Sequence, residues 1–572
     1  MNQSNINLLD LPNEILFIIL KKLDNIDVLY SLLENIFTNT LNFVLTTLTD
    51  NIYSITDPIL NQFCINILPK IHNNVKSLIL DSISMEKILL AGDYPNLTQV
   101  KIFNFNETIL SRYFTDQSPF RRIFQEQITD LILIFEKNFN EISEEFNTIN
   151  LYTYVFNFFI NLKYLSITGL FPYPFPHLNC RQSPITICLC STLYKLSLDV
   201  PSLVDCYALL DGRLKQLTIL ILNIAMLNCR ISNIYNMDDL PNLKCFSLKG
   251  FNCFIDSYDN KILPLLRRML NLEELTLYFT VVNRTTFIDG TSIYNEILVY
   301  MPRLNKFNFG ICTDIIIINN LIHRLSKDDI QQTFTNIIFQ QVECIVTYSC
   351  RRGKCYVFSL PFMFNDLDYI GNRFPTIIFT YVRSLKLEDE VPFEHEFFIR
   401  IAWSFPLLEK LSIMNLKRQS SIAKKLNCDD NQLYSIVKFP YLTSIFFCDV
   451  HNDYVEQFLN DTKTHLPCLT KLTIVCNQLQ LVTENFTRDR TRLNCINVKQ
   501  LLNLGEPIIN MSSQRYKLYE EFTKQYVELF GQTESETEQS KTNDHEISIE
   551  YDYGVELIQN YESWSASEFV EQ

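Results

Sequence analysis

Residues 272–277 read Leu-Glu-Glu-Leu-Thr-Leu, and residues 304–309 read Leu-Asn-Lys-Phe-Asn-Phe. Both follow one pattern: apolar, two others, apolar, one other, apolar. The last two apolar residues lie two apart, so on a strand they point to one side and the residue between them points to the other. The pattern begins earlier at Val75, Leu97, Ile128, Leu162, Leu193, Leu214 and Leu243. After a gap it returns at Val382, Leu408, Leu442, Leu469 and Leu493. One such match means little in a leucine-rich chain, but a recurring series in near-register is an internal repeat.

Helical periodicity fills the intervals, as in the run from Ile293 to Leu304 and the run from Glu396 to Leu408. Pro241, Pro302, Pro406 and Pro467 stand just before strands, where proline ends the preceding helix. Each unit is therefore helix, proline-marked turn and short strand. No such unit buries its apolar side alone, whereas stacked units share one core. The expected architecture is α/β, a curved parallel sheet with helices on the convex side.

On the concave side the sequence places the residue between the last two apolar positions, from Ile79 and Lys101 through Thr218, Thr276 and Lys386 to Thr473 and Asn497. The neighbouring column includes Tyr164, Lys195, Glu274, Lys306, Lys410 and Lys471. Extended concave faces of this kind bind macromolecules. Tyr164, Lys195, Glu274, Lys306, Lys386, Lys410 and Lys471 are accordingly the expected contacts to a partner protein. The Ser and Thr residues of the same face equally satisfy an exposed sheet.

The rhythm breaks between Leu304 and Val382. Inside the gap, two β-rich runs, 342–349 and 354–362, flank Cys-Arg-Arg-Gly, which reads as a hairpin with Gly353 in the turn. Residues 325–380 are expected to be an irregular insertion that either projects over the face or closes the core.

Composition excludes several function classes. A net charge of −15 disfavours a sequence-independent grip on nucleic acid. From Gly531 onward the chain carries eleven acidic residues and one lysine, a polar and acidic tail that is expected to be disordered. The 17 cysteines show no paired metal-ligand spacing and read as reduced thiols. With 11 glycines there is no phosphate-binding glycine loop and no Gly-x-Ser-x-Gly elbow. His395-Glu396 begins like a zinc-protease motif, but Ile399 stands where the second histidine belongs. No cofactor, no metal, no membrane partner and no catalytic role is expected.

The N-terminus is the other informative stretch. Ile15 to Leu20 are six consecutive apolar residues, preceded by Asp10 and Glu14 rather than by a basic region, so they do not read as an export signal. Six residues are also far short of the roughly 20 that span a bilayer. Asp10 is a good N-cap, Pro12 suits a first turn and Glu14 complements the dipole of a helix to about Leu23. That helix is too apolar to pack on one side only. A second helix, Val28 to Leu33, follows the cap Asp27, and a third is shortened or merged with Asn39–Leu48.

Leu11-Pro12, Glu14, the Ile15-Leu16 and Ile19-Leu20 pairs and the second helix together resemble an F-box. The repeats behind it resemble the longer, irregular leucine-rich repeats of F-box proteins, without a regular asparagine after each strand. The resemblance implies an F-box-like helical domain at 1–48, a helical linker at 49–74 and leucine-rich repeats at 75–324. The insertion at 325–380 then precedes a second block at 381–530 with a cap helix at Arg515–Phe530, and the tail at 531–572. It implies a non-catalytic substrate-recognition subunit of an SCF-type ubiquitin ligase, in the cytoplasm or nucleus. Leu11, Pro12, Ile15, Leu16, Ile19 and Leu20 would dock the Skp adaptor of the cullin scaffold, and the repeats would hold the protein to be ubiquitylated. The alternative is a leucine-rich-repeat scaffold whose degenerate F-box only caps the solenoid.

Overall fold

The computed structural model describes residues 39–46, 52–54, 57–135, 155–156, 158–169, 192–210, 214, 216–226, 239–255, 258–317, 324–336, 341–348, 352–420 and 436–503. Two compact units divide the chain, 1–316 with 332–339, and 317–331 with 340–572. The class is mixed α/β, with large, mostly parallel sheets.

In the first unit the sheet strands appear in chain order. They are β1 (Thr40–Asn42), β4 (Ser77–Asp81), β5 (Gln99–Phe105), β6 (Asp130–Phe135), β7 (Tyr164–Thr168), β8 (Lys195–Ser202), β9 (Ile219–Met226), β10 (Cys245–Ile255), β11 (Glu274–Val282) and β12 (Lys306–Ile316). Each pairs in parallel with the next. A separate antiparallel pair joins β2 (Val44–Thr46) to β3 (Ile52–Ser54).

Alternation explains the arrangement. Leu78 and Leu80, Leu165 and Ile167, Leu275 and Leu277, and Phe307 and Phe309 have no exposed surface and form one side of the sheet. Burying a side chain of this size is worth about 1.5–3 kcal/mol, so the period-2 pattern alone selects the register.

A backbone device repeats at every step. The carbonyl before each strand accepts two N–H groups from the following repeat. Thr98 N and Gln99 N share Lys76 O, Lys244 N and Cys245 N share Thr218 O, and Asn305 N and Lys306 N share Glu273 O. In the second unit Glu409 N and Lys410 N share Arg383 O, and Lys499 N and Gln500 N share Thr470 O. An asparagine side chain reinforces several turns. Nδ2 of Asn96, Asn161, Asn271 and Asn497 donates to the carbonyls of Asn73 (2.7 Å), Glu126 (2.7 Å), Pro241 (2.9 Å) and Pro467 (3.0 Å). The repeat therefore uses an asparagine ladder placed before the strand rather than after it.

The second unit opens with β13 (Gln341–Tyr348) and β14 (Arg352–Leu360), an antiparallel pair running from Gln341↔Leu360 to Tyr348↔Gly353. Its six-stranded parallel sheet contains β15 (Asp366–Ile370), β16 (Ser384–Glu388), β17 (Lys410–Asn415), β19 (Ser444–Val450), β21 (Lys471–Ile474) and β22 (Gln500–Asn503). Two short strands, β18 (Val437–Lys438) and β20 (Thr464–His465), pair on their own.

Four local expectations need correction. The helix expected over Asn39–Leu48 is replaced, in its described part, by β1 and β2, because Leu41 and Phe43 alternate and are buried at 3%. Gly353 lies in the β13–β14 ladder opposite Tyr348, so it is not the turn residue. Leu220 pairs with Leu196, so the repeat frame here starts at Leu217 and Ile221, not Thr218, joins the facing row. Likewise Leu501 pairs with Leu472, and Leu502 takes the place expected for Asn497; Asp489–Cys495 is helix.

Candidate functional site: the open sheet faces

In the first unit one row crosses the open face from Gln99 through Asp130, Tyr164, Lys195, Ile219, Cys245 and Glu274 to Lys306, each directly opposite the next. Four of the residues chosen from sequence thus fall on a single row, as two couples. Lys195 Nζ sits 4.2 Å above the Tyr164 ring. Lys306 Nζ lies 3.1 Å from Glu274 Oε2. Exposed cation–π and ion pairs of this kind are worth about 0.2–1 kcal/mol, so an incoming charged group displaces them at small cost. Between the couples stand Ile219 and Cys245. Burial and the Glu274 charge push the Cys245 thiol up, against Lys306 and Lys195. Lys101 lies on the next row, 4.6 Å over the Phe103 ring, and burial lowers its pKa.

In the second unit the corresponding row is Asp366, Ser384, Lys410, Ser444, Lys471 and Gln500. Lys386, Ser412, Phe446, Thr473 and Leu502 form the next. Lys410 and Lys471 therefore share a row, and Lys386 stands on the adjacent one.

The sequence did not single out the carboxylates beside them. In β15 the pairing shifts between Leu367 and Ile370, and Tyr369 takes a left-handed backbone at φ 61°. A bulge of this kind re-aims side chains at the sheet edge. Asp368 lies 3.7 Å from Lys386 Nζ. Lys354 lies 3.0 Å from Glu388 Oε2 and 4.2 Å above the Tyr369 ring. Burial, and next the Asp368 charge, raises the pKa of Asp366, against its hydrogen bond to Ser384 and the nearby Lys410 and Lys386. Burial also raises Asp368, against Lys386 and Lys354. Two adjacent carboxyl groups held above their ordinary range, within a checkerboard of lysines, mark this end of the sheet as the most electrostatically shaped surface described. The signal was present in Phe364-Asn-Asp-Leu-Asp-Tyr369, which fits the repeat once aromatics are allowed at its ends.

The chemistry available here is polar recognition. The neighbouring Cys448 thiol is pushed up to about 11 by burial and by Asp449, so it is no thiolate nucleophile at neutral pH. His395 opens the helix His395–Ser404, is buried, and donates from Nδ1 to Gln457 Oε1 at 3.1 Å, which is a packing role. Among the described residues no helix is long and apolar enough to cross a membrane.

Leu11, Pro12, Ile15, Leu16, Ile19 and Leu20 lie outside the described residues, as do Arg515–Phe530 and the acidic tail. Set against known proteins, the chain matches no family model and no curated sequence.

Proposed function

We propose that this protein is a non-catalytic substrate receptor of an SCF-type ubiquitin ligase, acting in the cytoplasm or nucleus. Its N-terminal segment docks the Skp adaptor of the cullin scaffold through Leu11, Pro12, Ile15, Leu16, Ile19 and Leu20. Its strands belong to leucine-rich-repeat solenoid blocks whose open faces hold the protein to be ubiquitylated. The observation that carries this reading is the order along the chain. A Leu-Pro-Asn-Glu-Ile-Leu segment at 11–16 precedes parallel strands that pair in sequence order, one per repeat. The couples Tyr164–Lys195 and Glu274–Lys306, and the Lys410–Lys471 row, supply exchangeable charge on those faces.

The test is co-purification of the wild-type chain with purified Skp and cullin. Recovery of both, lost in the Leu11→Ala/Pro12→Ala double variant, supports the assignment; equal recovery from the double variant rejects that interface.

One observation favours a second reading, a repeat scaffold whose N-terminal segment only caps the sheet. Thr40–Asn42 and Val44–Thr46 are strands, which leaves no room for a third F-box helix beyond residue 39. On that reading the wild type recovers no Skp, and deletion of residues 1–38 exposes core and causes aggregation.

A further inference from the structure

Residues 504–572 follow the last described strand, and the final stretch, 547–572, is unusual in composition. It carries six carboxylates (Glu550, Asp552, Glu556, Glu562, Glu568 and Glu571), no lysine or arginine, and five aromatic residues (Tyr551, Tyr553, Tyr561, Trp564 and Phe569). The open face of the last four strands of the six-stranded sheet has the opposite chemistry. Across β17, β19, β21 and β22 one row carries Lys410, Ser444, Lys471 and Gln500, and the next carries Ser412, Phe446, Thr473 and Leu502. Within these four strands neither row carries a carboxylate; Asp366 continues the first row beyond Ser384, two strands from Lys410. Phe446 and Leu502 are half-buried, and Met414 beside them is 39% exposed. Two ammonium groups two strands apart, separated by hydroxyls and flanked by apolar surface, suit a segment that alternates acids with aromatics.

The chain also leaves the sheet at the right place. It exits at Asn503 in β22, directly beside the strand that carries Lys471. Crossing from β22 to β17 takes three strand spacings, about 15 Å. The 43 intervening residues, 504–546, are many more than that crossing requires, since even a helix rises about 1.5 Å per residue, so the segment has the length to reach. Tethering at this length gives an effective concentration on the order of millimolar, so even weak attraction holds the segment in place.

We propose that residues 547–572 dock in cis on the β17–β22 face, over Lys410 and Lys471, with their aromatics against Phe446, Leu502 and Met414. The tail then occupies the face assigned above to the partner protein, and a partner must displace it. Only this last clause rests on the receptor reading; the docking itself does not.

The chain has two tryptophans, Trp403 and Trp564, and Trp403 is 55% exposed, so Trp403→Phe leaves Trp564 as the only tryptophan, excited selectively to the red of tyrosine absorption, with little effect on packing. In that full-length variant, acrylamide quenching of Trp564 is expected to fall several-fold relative to the synthetic 547–572 peptide. High salt should reverse the protection, because the attraction is screened. Lys410→Glu/Lys471→Glu should abolish it. Since reversing two face charges can perturb folding, the reciprocal variant Glu550→Lys/Asp552→Lys/Glu556→Lys is combined with it, and protection should return. Quenching equal to that of the peptide in Trp403→Phe overturns the proposal. So does protection that ignores both sets of charge reversals, and so does protection lost on dilution, which assigns the tail of a second copy. Failure to recover Skp sinks the receptor reading and leaves these outcomes unchanged.

Discussion

The helix-bearing sides of both units pack buried aromatic rings, and the second weaves a buried polar network through them. In the first, Phe105, Phe114, Phe124 and Phe159 are at most 1% exposed, and Phe114 packs against the other three at ring distances of 5.7, 5.2 and 5.0 Å. In the second, Phe458 of the helix Asn452–Leu459 packs in the same way, 5.0 and 5.8 Å from the Phe398 and Phe439 rings, but the helix is also tied to its neighbours by a network of buried side-chain hydrogen bonds. Gln457 Oε1 accepts a hydrogen bond from His395 and its Nε2 donates one to Thr464 Oγ1 (3.1 Å), which donates back to Gln457 O (2.7 Å). Asn494 Nδ2 donates to Phe458 O (3.0 Å) and Thr464 O (2.7 Å), while its Oδ1 accepts from Leu466 N (3.0 Å). The aromatic seam depends on volume and ignores pH. The polar seam depends on direction and leaves orphaned groups when any member is removed.

The sharpest way to break this contrast is Phe114→Ala, which leaves a cavity among three rings and should cost about 3–5 kcal/mol. Hydrogen-exchange mass spectrometry resolves the two units separately. Protection should fall in β5, β6 and the helix Glu107–Tyr113, to the same extent at pH 5 and pH 7. Next comes Asn494→Ala in the second unit, expected to cost about 2–3 kcal/mol because it orphans buried carbonyls at Phe458 and Thr464 and the N–H of Leu466. Asn494→Asp keeps the size but removes a donor pair, so it should recover little of the loss in a thermal melt. Full recovery by Asp would show that volume, not direction, governs this seam.

Acid separates the units further. Arg488 forks onto Glu456, with Nη2···Oε1 at 3.0 Å and a second bond from Nη1 to Oε2, and Asn460 adds a bond at 2.8 Å. Burial opposes the charge on Glu456, but these hydrogen bonds and Lys463 hold its pKa below the ordinary value. A depressed carboxyl binds fewer protons folded than unfolded. Its contribution is therefore fully present above the unfolded value near 4.5 and is lost as pH falls through the folded one. Arg488→Ala should cost about 1–2 kcal/mol at pH 7 and flatten the acid limb of the second unit's unfolding curve. Asp366 has the opposite sign: its raised pKa makes ionisation unfavourable to the fold, so that part of the stability falls as pH rises through the folded value. Asp366→Asn should therefore leave the melting temperature at pH 7 unchanged or higher, and a large drop would contradict the buried-carboxyl account.

Much of the sheet was legible because leucine at two alternate positions has one low-energy placement, on the buried side. The slips occurred where that signal was ambiguous. Leu214-Lys-Gln-Leu217-Thr-Ile-Leu220 offers two overlapping frames, and only the carbonyl of Tyr194, shared by Thr218 N and Ile219 N, decides between them. Val498-Lys-Gln-Leu-Leu-Asn503 ends on a polar residue at the sheet edge, so the apolar pattern failed where packing is needed least. The lysine rows followed from strand alternation. Asp366, Asp368 and Tyr369 did not, since a bulge breaks the period of two that would announce them.

The asparagine ladder gives the smallest effect and the finest comparison. Asn271 and Asn497 occupy the same position of the repeat in different units, and each donates to the carbonyl of a proline thirty residues earlier, Pro241 and Pro467. A proline carbonyl at a turn has no strand partner, and water competes for it at these exposed sites. Each bond should thus contribute only about 0.5–1 kcal/mol, and Asn271→Ala and Asn497→Ala should match within about 0.3 kcal/mol. Asn271 sits between strands of a long sheet, whereas Asn497 precedes the last described strand, β22. If Asn497→Ala proves the costlier and releases β22 selectively in hydrogen exchange, the ladder acts chiefly at the edge, clamping a strand that has a sheet neighbour on one described side.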